Sequence, residues 1–301
     1  MSKFYCIVVL LSAALLSLSC SKDGVESQTP ITEGEECTLN VTLNGFILTE
    51  SQSAKPVVRG GTDITLATSV VNRLAVALYS SGKLVEEVKQ YSTDADYGTI
   101  SFKVVPGNYK IVAVAYNDKD NQQIPSFTNM SQYNLPYEGK TNDTFYGTQD
   151  ITVSNTIETT QVNMSRAIAC FVLTSTNTVP DEVRMMQMIF RKGSKADLNP
   201  ITGLSLTDDG YVWSSTVSEA KRTENPVSWT AYTLLATDEE TMNITVNGIN
   251  ELGETIYTHQ FNNVTLKRNR KLTATGMFFS YNYSASFILN TDWLEGTEMT
   301  Y

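Results

Sequence analysis

From Cys37 the chain alternates: Cys37, Leu39, Val41 and Leu43 are apolar, and Thr38, Asn40, Thr42 and Asn44 between them are polar. Successive side chains of an extended strand point to opposite faces, so this register gives one face to a core and the other to water. Wound as a helix, the same residues would scatter the apolar set around the axis. The pattern returns at 71–79, 84–91, 97–104, 109–116, 144–153 and 158–164, with Ser81-Gly82 and Pro106-Gly107-Asn108 as turns. A polar, Pro-containing stretch at 117–142 has no period and reads as a loop-rich connection.

A second set follows at 167–174, 183–191, 211–217, 228–236, 242–246, 255–261, 271–279 and 284–289, with Asp208-Asp209-Gly210 as a hairpin turn signal. No stretch carries a 3.6-residue apolar stripe over several turns. Strands recurring about every 10 residues between Gly, Asn and Pro imply sandwiches or barrels. The chain therefore reads as all-β in two domains, 37–163 and 164–301.

The N-terminus points to export. Lys3 precedes an apolar stretch from Ile7 to Leu18, and the small Ser19 stands before Cys20, the layout of a secretory signal over 1–19. The apolar run falls short of the about 20 residues of a membrane span. A cysteine directly after the cleavage position is the acceptor of a lipoprotein anchor, so Cys20 is the expected lipidation site. Ser17 stands where Leu is usual in such a signal, which leaves ordinary signal-peptidase cleavage as the alternative. Residues 20–36 are polar and without period and read as a lipidated, flexible tether. Lys22-Asp23 after the cysteine fits either a charged surface-sorting signal or a solvated linker.

Two cysteines, Cys37 and Cys170, remain in the body; they fall in different domains and read as buried thiols rather than a bridge. A net charge of −10 excludes a nucleic-acid partner, which needs clustered Lys and Arg.

Little material for catalysis is present. His259 is the single histidine and lies in an alternating stretch, where a wet-face strand residue is the expected role. A Ser-His-Asp triad or a histidine-rich zinc site lacks its parts. Gly60-Gly61 has no helix behind it, so it is no phosphate loop. Asp208-Asp209 and Glu239-Glu240 sit at predicted turns, where solvated acids are the rule, and adjacency in sequence does not supply the spacing of a glycosidase pair. Asn117-Asp118-Lys119-Asp120-Asn121 opens like a calcium loop but lacks its central Gly and terminal Glu. No enzyme activity, cofactor or metal is expected. Trp213, Trp229 and Trp293 suit strand and core packing, with a sugar-stacking platform as the alternative.

Three stretches together resemble one family, the fimbrillins and the fimbrial anchor and minor subunits of Bacteroidetes type V pili. They are Val71 to Val85 followed by Val105-Pro106-Gly107-Asn108-Tyr109-Lys110-Ile111-Val112-Ala113; Phe145-Tyr146-Gly147 with Val162-Asn163-Met164-Ser165-Arg166-Ala167; and Val264-Thr265-Leu266-Lys267-Arg268-Asn269-Arg270 running to Gly276-Met277-Phe278. The resemblance implies two tandem transthyretin-like β-sandwich domains that assemble with other fimbrial subunits by strand donation. It also implies, for stalk subunits, cleavage by a trypsin-like protease after an Arg behind the first strand. Arg59-Gly60 occupies that place here, and Leu39, Val41, Leu43 and Phe46 would be the removed or donated apolar positions. A sheet that loses a strand presents unpaired N–H and C=O groups and side-chain pockets at alternate positions, which a strand from another chain can fill.

The resulting expectation is a surface-exposed outer-membrane lipoprotein of the fimbrium, an anchor or minor subunit supporting adhesion. The alternatives are a polymerising stalk subunit freed by cleavage after Arg59 and a surface glycan-binding lipoprotein. A hydrolase built on a carboxylate pair is the least expected. The segment 292–301 follows the last expected strand and is long enough either to form part of a donor strand or to cap the sandwich.

Overall fold

The expected alternation is present at the start of the body. In the computed structural model, which describes residues 35–44, 71–118, 122–136, 141–156, 158–280 and, as backbone, 288–293, strand β1 (Cys37–Asn44) buries every odd residue and leaves every even one half-buried. It lies in the middle of a three-stranded sheet, antiparallel to β4 (Ile100–Val104) on one side and parallel to β8 (Glu158–Asn163) on the other. The facing sheet takes β2 (Arg73–Ser80), β3 (Lys83–Tyr91), β5 (Gly107–Tyr116), β7 (Thr144–Val153) and the two-residue β9 (Ser165–Arg166), in the order β3-β2-β5-β7-β9. Between the sheets Leu39, Val41 and Leu43 pack with Leu74, Val76, Leu78, Phe102, Ile111 and Phe145 in one core.

β2 and β5 are apolar on both faces, and both faces are buried. Leu74, Val76 and Leu78 point into the sandwich, whereas Ala75, Ala77 and Tyr79 point outward into a second core. That outer face is covered by Ile124, Phe127, Tyr133 and Leu135, which come from the stretch expected to be loop-rich. The small alanines let this cover approach the sheet closely. Within the cover β6 (Tyr133–Asn134) pairs with β12 (Asp197–Asn199), which also pairs with β13 (Leu204–Ser205), so a small sheet ties the two halves of the chain together.

The second sandwich begins with β10 (Ile168–Ser175), immediately after β9, and the chain changes sheets at Ala167. β10 is joined by β15 (Val227–Leu234), β18 (Arg270–Gly276) and β19 (Ile288–Trp293) in the order β15-β10-β18-β19. Opposite them β11 (Met185–Phe190), β14 (Tyr211–Thr216), β16 (Glu239–Ile249) and β17 (Thr255–Lys267) run in the order β14-β11-β16-β17. One short helix, α1 (Glu219–Thr223), is capped by Ser218, whose hydroxyl accepts from the Lys221 amide.

The turns divide by physical type. Ser81 and Gly82, with φ of 50° and 76°, close a two-residue hairpin whose backbone twist matches that of the strands it joins. Asp208-Asp209-Gly210 does not make a hairpin: β13 before it and β14 after it lie in different sheets. The segment is instead tied back to Gly193, whose amide donates to Asp208 and whose carbonyl accepts from the Gly210 amide. Asp292 and Trp293, expected to follow the last strand, are its final residues in β19.

Glu240 enters the second sandwich from the start of β16, and its carboxyl is held above the usual carboxylate range by burial and then by the neighbouring Asp208. A carboxyl raised in the native state favours folding most fully below the ordinary glutamate pKa, and this contribution is lost as pH rises through the native value. Glu240→Gln is therefore expected to flatten the pH dependence of unfolding above pH about 4.5 and to gain relative stability toward neutrality. Urea midpoints measured at a series of pH values check this.

Candidate strand-exchange groove and the joint between the sandwiches

The strand singled out by its alternation is held along both edges and on its inner face. β1 sits between two partners, so its backbone groups are paired along both edges. Its register with β4 runs from Cys37 opposite Val104 to Val41 opposite Ile100, and with β8 from Leu39 opposite Glu158 to Asn44 opposite Asn163. Leu39, Val41 and Leu43 are at most 3% exposed. Each contributes about 1.5–3 kcal/mol of burial.

The wet face of β1 is also matched to its neighbours. Asn40 accepts from the Ser101 hydroxyl at 2.9 Å, Thr38 from the Lys103 ammonium at 2.6 Å, and Thr42 donates to the Thr160 carbonyl at 3.2 Å. Apolar pockets below and polar partners above fix the register together, since a one-residue slip would reverse both faces. Removal of β1 would leave β4 and β8 flanking an open slot floored by Leu74, Val76, Ile111 and Phe145.

Cys37 closes the first position of the slot, with its thiol against the carbonyls of Val104 at 3.3 Å and Ser154 at 3.4 Å. Cys170, on β10, is buried on the face turned away from the second core, near Asp143 and Arg166, and burial pushes its thiol up to about 12. Both are free thiols. Departure of β1 is therefore expected to open Cys37 to alkylation while Cys170 stays protected as long as the two sandwiches remain packed together. Peptide mapping after timed iodoacetamide labelling reads the two sites separately.

Phe46, Arg59, Gly60 and the lipid acceptor Cys20 lie outside the described residues. The chain between β1 and β2 contains Arg59, so a cut there would leave β1 held by non-covalent contacts alone.

The remaining stretches singled out in the sequence converge at the other end of the first sandwich. Arg166 is 6% exposed; its Nε and Nη2 donate to the two carboxylate oxygens of Asp143 at 2.8 and 3.1 Å, and its guanidinium lies 4.8 Å from the centroid of the Phe145 ring. Its Nη1 reaches Asn269 Oδ1 at 3.4 Å, between β17 and β18. Arg268 donates to the Tyr146 hydroxyl at 2.8 Å and to the Thr202 carbonyl at 2.6 Å, and it pairs with Asp238 at 2.6 Å. The Tyr146 ring fills the space over Gly203, where a Cβ would stand 2.0 Å from it. Phe145, Tyr146, Arg166, Arg268 and Asn269 thus meet in one joint between the sandwiches. Asp143, Thr202 and Gly203 complete the joint without a local sequence signal, because their partners are remote in the chain.

The other candidates within the described residues are structural; Gly60-Gly61, residues 119–121 and the side chain of Trp293 lie outside them. Asp118, in the stretch compared with a calcium loop, is 2% exposed and lies 3.9 Å from the Arg73 guanidinium; its carboxylate also accepts from the Gln122 amide. Among the described residues no group of three or more His, Cys, Asp or Glu is placed to hold a metal ion. Trp213 and Trp229 are buried in the second core, so neither can serve as an exposed sugar platform. His259 lies half-buried on β17 with its ring against Phe261, and burial lowers its pKa. Among the described residues no helix is long and apolar enough to cross a membrane.

Comparison with known proteins agrees with this architecture. A candidate cell adhesion protein from Bacteroides eggerthii superposes with a TM-score of 0.50 at 12% identity, over 88% of this chain and 98% of that one, which shows a shared fold. The fimbrial anchor protein Mfa2 from Porphyromonas gingivalis gives a TM-score of 0.45 at 12% identity, over 86% of this chain and 98% of that one. A fimbrial assembly protein from Parabacteroides distasonis gives 0.46 at the same identity and coverages. No curated protein matches the sequence significantly. A family model matching residues 29–297 spans nearly the whole body, and the chain belongs to that family, a family of unknown function (DUF6562).

Proposed function

We propose that the protein is a structural, non-enzymatic component of a surface fimbrium. It is held at the outer membrane through lipid on Cys20 and acts as an anchor or minor subunit that joins other subunits by strand complementation, supporting adhesion. Its two domains are residues 37–163 and 164–301. The observation that carries this reading is the position of β1: a short N-terminal strand in the middle of its sheet, apolar on its inner face, joined to the body only through the segment that contains Arg59. Once the chain is cut after Arg59, a strand so placed leaves an apolar slot between two unpaired edges, the receptor geometry of strand addition; an uncut, lipidated chain keeps β1 in the slot and joins other subunits as a strand donor. The fold shared with a candidate cell adhesion protein and the sequence resemblance to fimbrial subunits support the same reading.

The second reading is a polymerising stalk subunit, favoured by the same placement of Arg59 between β1 and β2. A glycan-binding lipoprotein is less favoured, because Trp213 and Trp229 are core residues. Intact mass and N-terminal analysis of protein from cell-surface fractions separates the first two. Acylated Cys20 on the full mature chain supports the anchor or minor subunit; an N-terminus at Gly60 without lipid supports the stalk; an unmodified, full-length soluble chain contradicts both.

A further inference from the structure

The two ends of the first sandwich differ. One end holds the joint, with Arg73, Tyr116, Thr144 and Arg166. The other holds the start of β1, where Cys37 stands opposite Val104, and the chain runs back from there toward Cys20. At that same end lie the hairpin between β2 and β3 and the crossing from β4 to β5, joined by the Ser80 hydroxyl donating to the Asn108 carbonyl at 3.2 Å. Here three apolar side chains stand half in solvent: Leu84 at 49%, Val85 at 48% and Val105 at 45% exposed. Leu84 and Val85 are at the start of the edge strand β3 beside a tight turn, positions where solvated residues are the rule.

We infer that this end of the first sandwich rests on the lipid surface, with Leu84, Val85 and Val105 as its apolar contact. The inference rests on the proposed attachment through Cys20. Sixteen residues lie between Cys20 and Cys37. Even fully extended this stretch spans only about 60 Å, so the body stays close to the bilayer and is tethered to it by the end that carries Cys37. Three half-exposed side chains make a weak contact by themselves. A tether raises their local concentration at the surface, and a weak contact then suffices to set orientation. Charge does not drive it: Lys83, Lys103 and Lys110 at this end are offset by Glu35, Glu36, Asp150 and Glu158, and Lys110 is already paired with Asp150 at 2.6 Å. The contact is therefore with apolar lipid and interfacial groups, and it orients the joint and the second sandwich away from the membrane.

The test attaches the chain from Ser21 onward by an N-terminal hexahistidine, standing in for the lipidated Cys20, to phosphatidylcholine vesicles that carry nickel-chelating lipid. An environment-sensitive fluorophore is placed in turn at Leu84→Cys, Val105→Cys and, as reference, Leu252→Cys in the turn between β16 and β17, where the native side chain is 82% exposed. The expected result is loss of emission at Leu84→Cys and Val105→Cys when the vesicles contain nitroxide-labelled lipid, with none at Leu252→Cys and little change in high salt. Unquenched emission at both first-sandwich positions overturns the inference. So does a change at Leu84→Cys that follows protein concentration without vesicles, which would assign the surface to a second copy of the chain. Failure of the anchor reading is seen separately, as absence of acyl groups on native Cys20.

Discussion

Leu39→Asp is expected to unfold the first sandwich while leaving much of the second intact. Leu39 is fully buried at the centre of β1, between Phe102 on β4 and the start of β8. Its replacement forfeits about 1.5–3 kcal/mol of apolar burial. It also places a carboxylate in an apolar core, at a further cost of several kcal/mol. The sum approaches the whole stability of a domain, about 5–15 kcal/mol. Asn40→Asp, one residue away on the wet face, should cost no more than about 0.5 kcal/mol. The distribution of aromatic residues makes the result readable: all three tryptophans lie beyond residue 164, and Trp213 and Trp229 are in the second core. Loss of strand signal in far-ultraviolet circular dichroism with retained tryptophan emission is the expected outcome for Leu39→Asp. A cooperative loss of both would mean that the shared outer core, where Leu198 and Leu234 meet Val112 and Tyr116, welds the sandwiches into one folding unit.

The second large effect is expected at Gly147. A Cβ added there would stand 2.6 Å from the Asn163 carbonyl oxygen and 2.8 Å from both Met164 Sδ and Val162 Cγ1. The methionine can swing aside, but the carbonyl belongs to the β8 backbone and cannot. At Gly147 β7 of one sheet passes against β8 of the other, and the absence of a side chain lets the sandwich close. Gly147→Ala should cost about 3 kcal/mol or more, since an overpacked site has only backbone shifts by which to relax. Gly82→Ala provides the contrast. It meets nothing within 4 Å and suffers only from φ of 76°, so about 1–2 kcal/mol is expected. Urea midpoints at constant m-value distinguish the two costs.

The sequence made the long strands legible because each has at least one buried face and enough residues to show a period. β6, β9, β12 and β13 have two or three residues each and carry no period to read. The cover over β2 and β5 was missed for a related reason. Ile124, Phe127, Tyr133 and Leu135 are spaced irregularly because they fill a surface rather than line a strand. The continuous apolar run of β2 was its counterpart signal, since a strand buried on both faces loses its alternation. Asp208-Asp209-Gly210 had the right residues for a turn, yet turn chemistry does not say which sheets the turn connects. At the joint, Tyr146, Arg166 and Arg268 were visible as motif residues, but their contacts with Asp143, Thr202 and Gly203 depend on how the sandwiches meet. At the groove, the apolar face of β1 was legible from four residues, whereas its central place between β4 and β8 required the fold.

That central place underlies the account, and strand replacement tests it most directly. The protein is cut after Arg59, and a synthetic peptide carrying the β1 sequence is offered in excess, with uptake followed by intact-mass spectrometry of the folded complex. The account predicts that the bound first strand exchanges for the peptide one to one, and that a peptide with Leu39→Asp and Val41→Asp is refused. A cut protein that keeps its own strand through repeated challenge, or that loses it and binds no peptide, would contradict the proposal that this groove assembles fimbrial subunits.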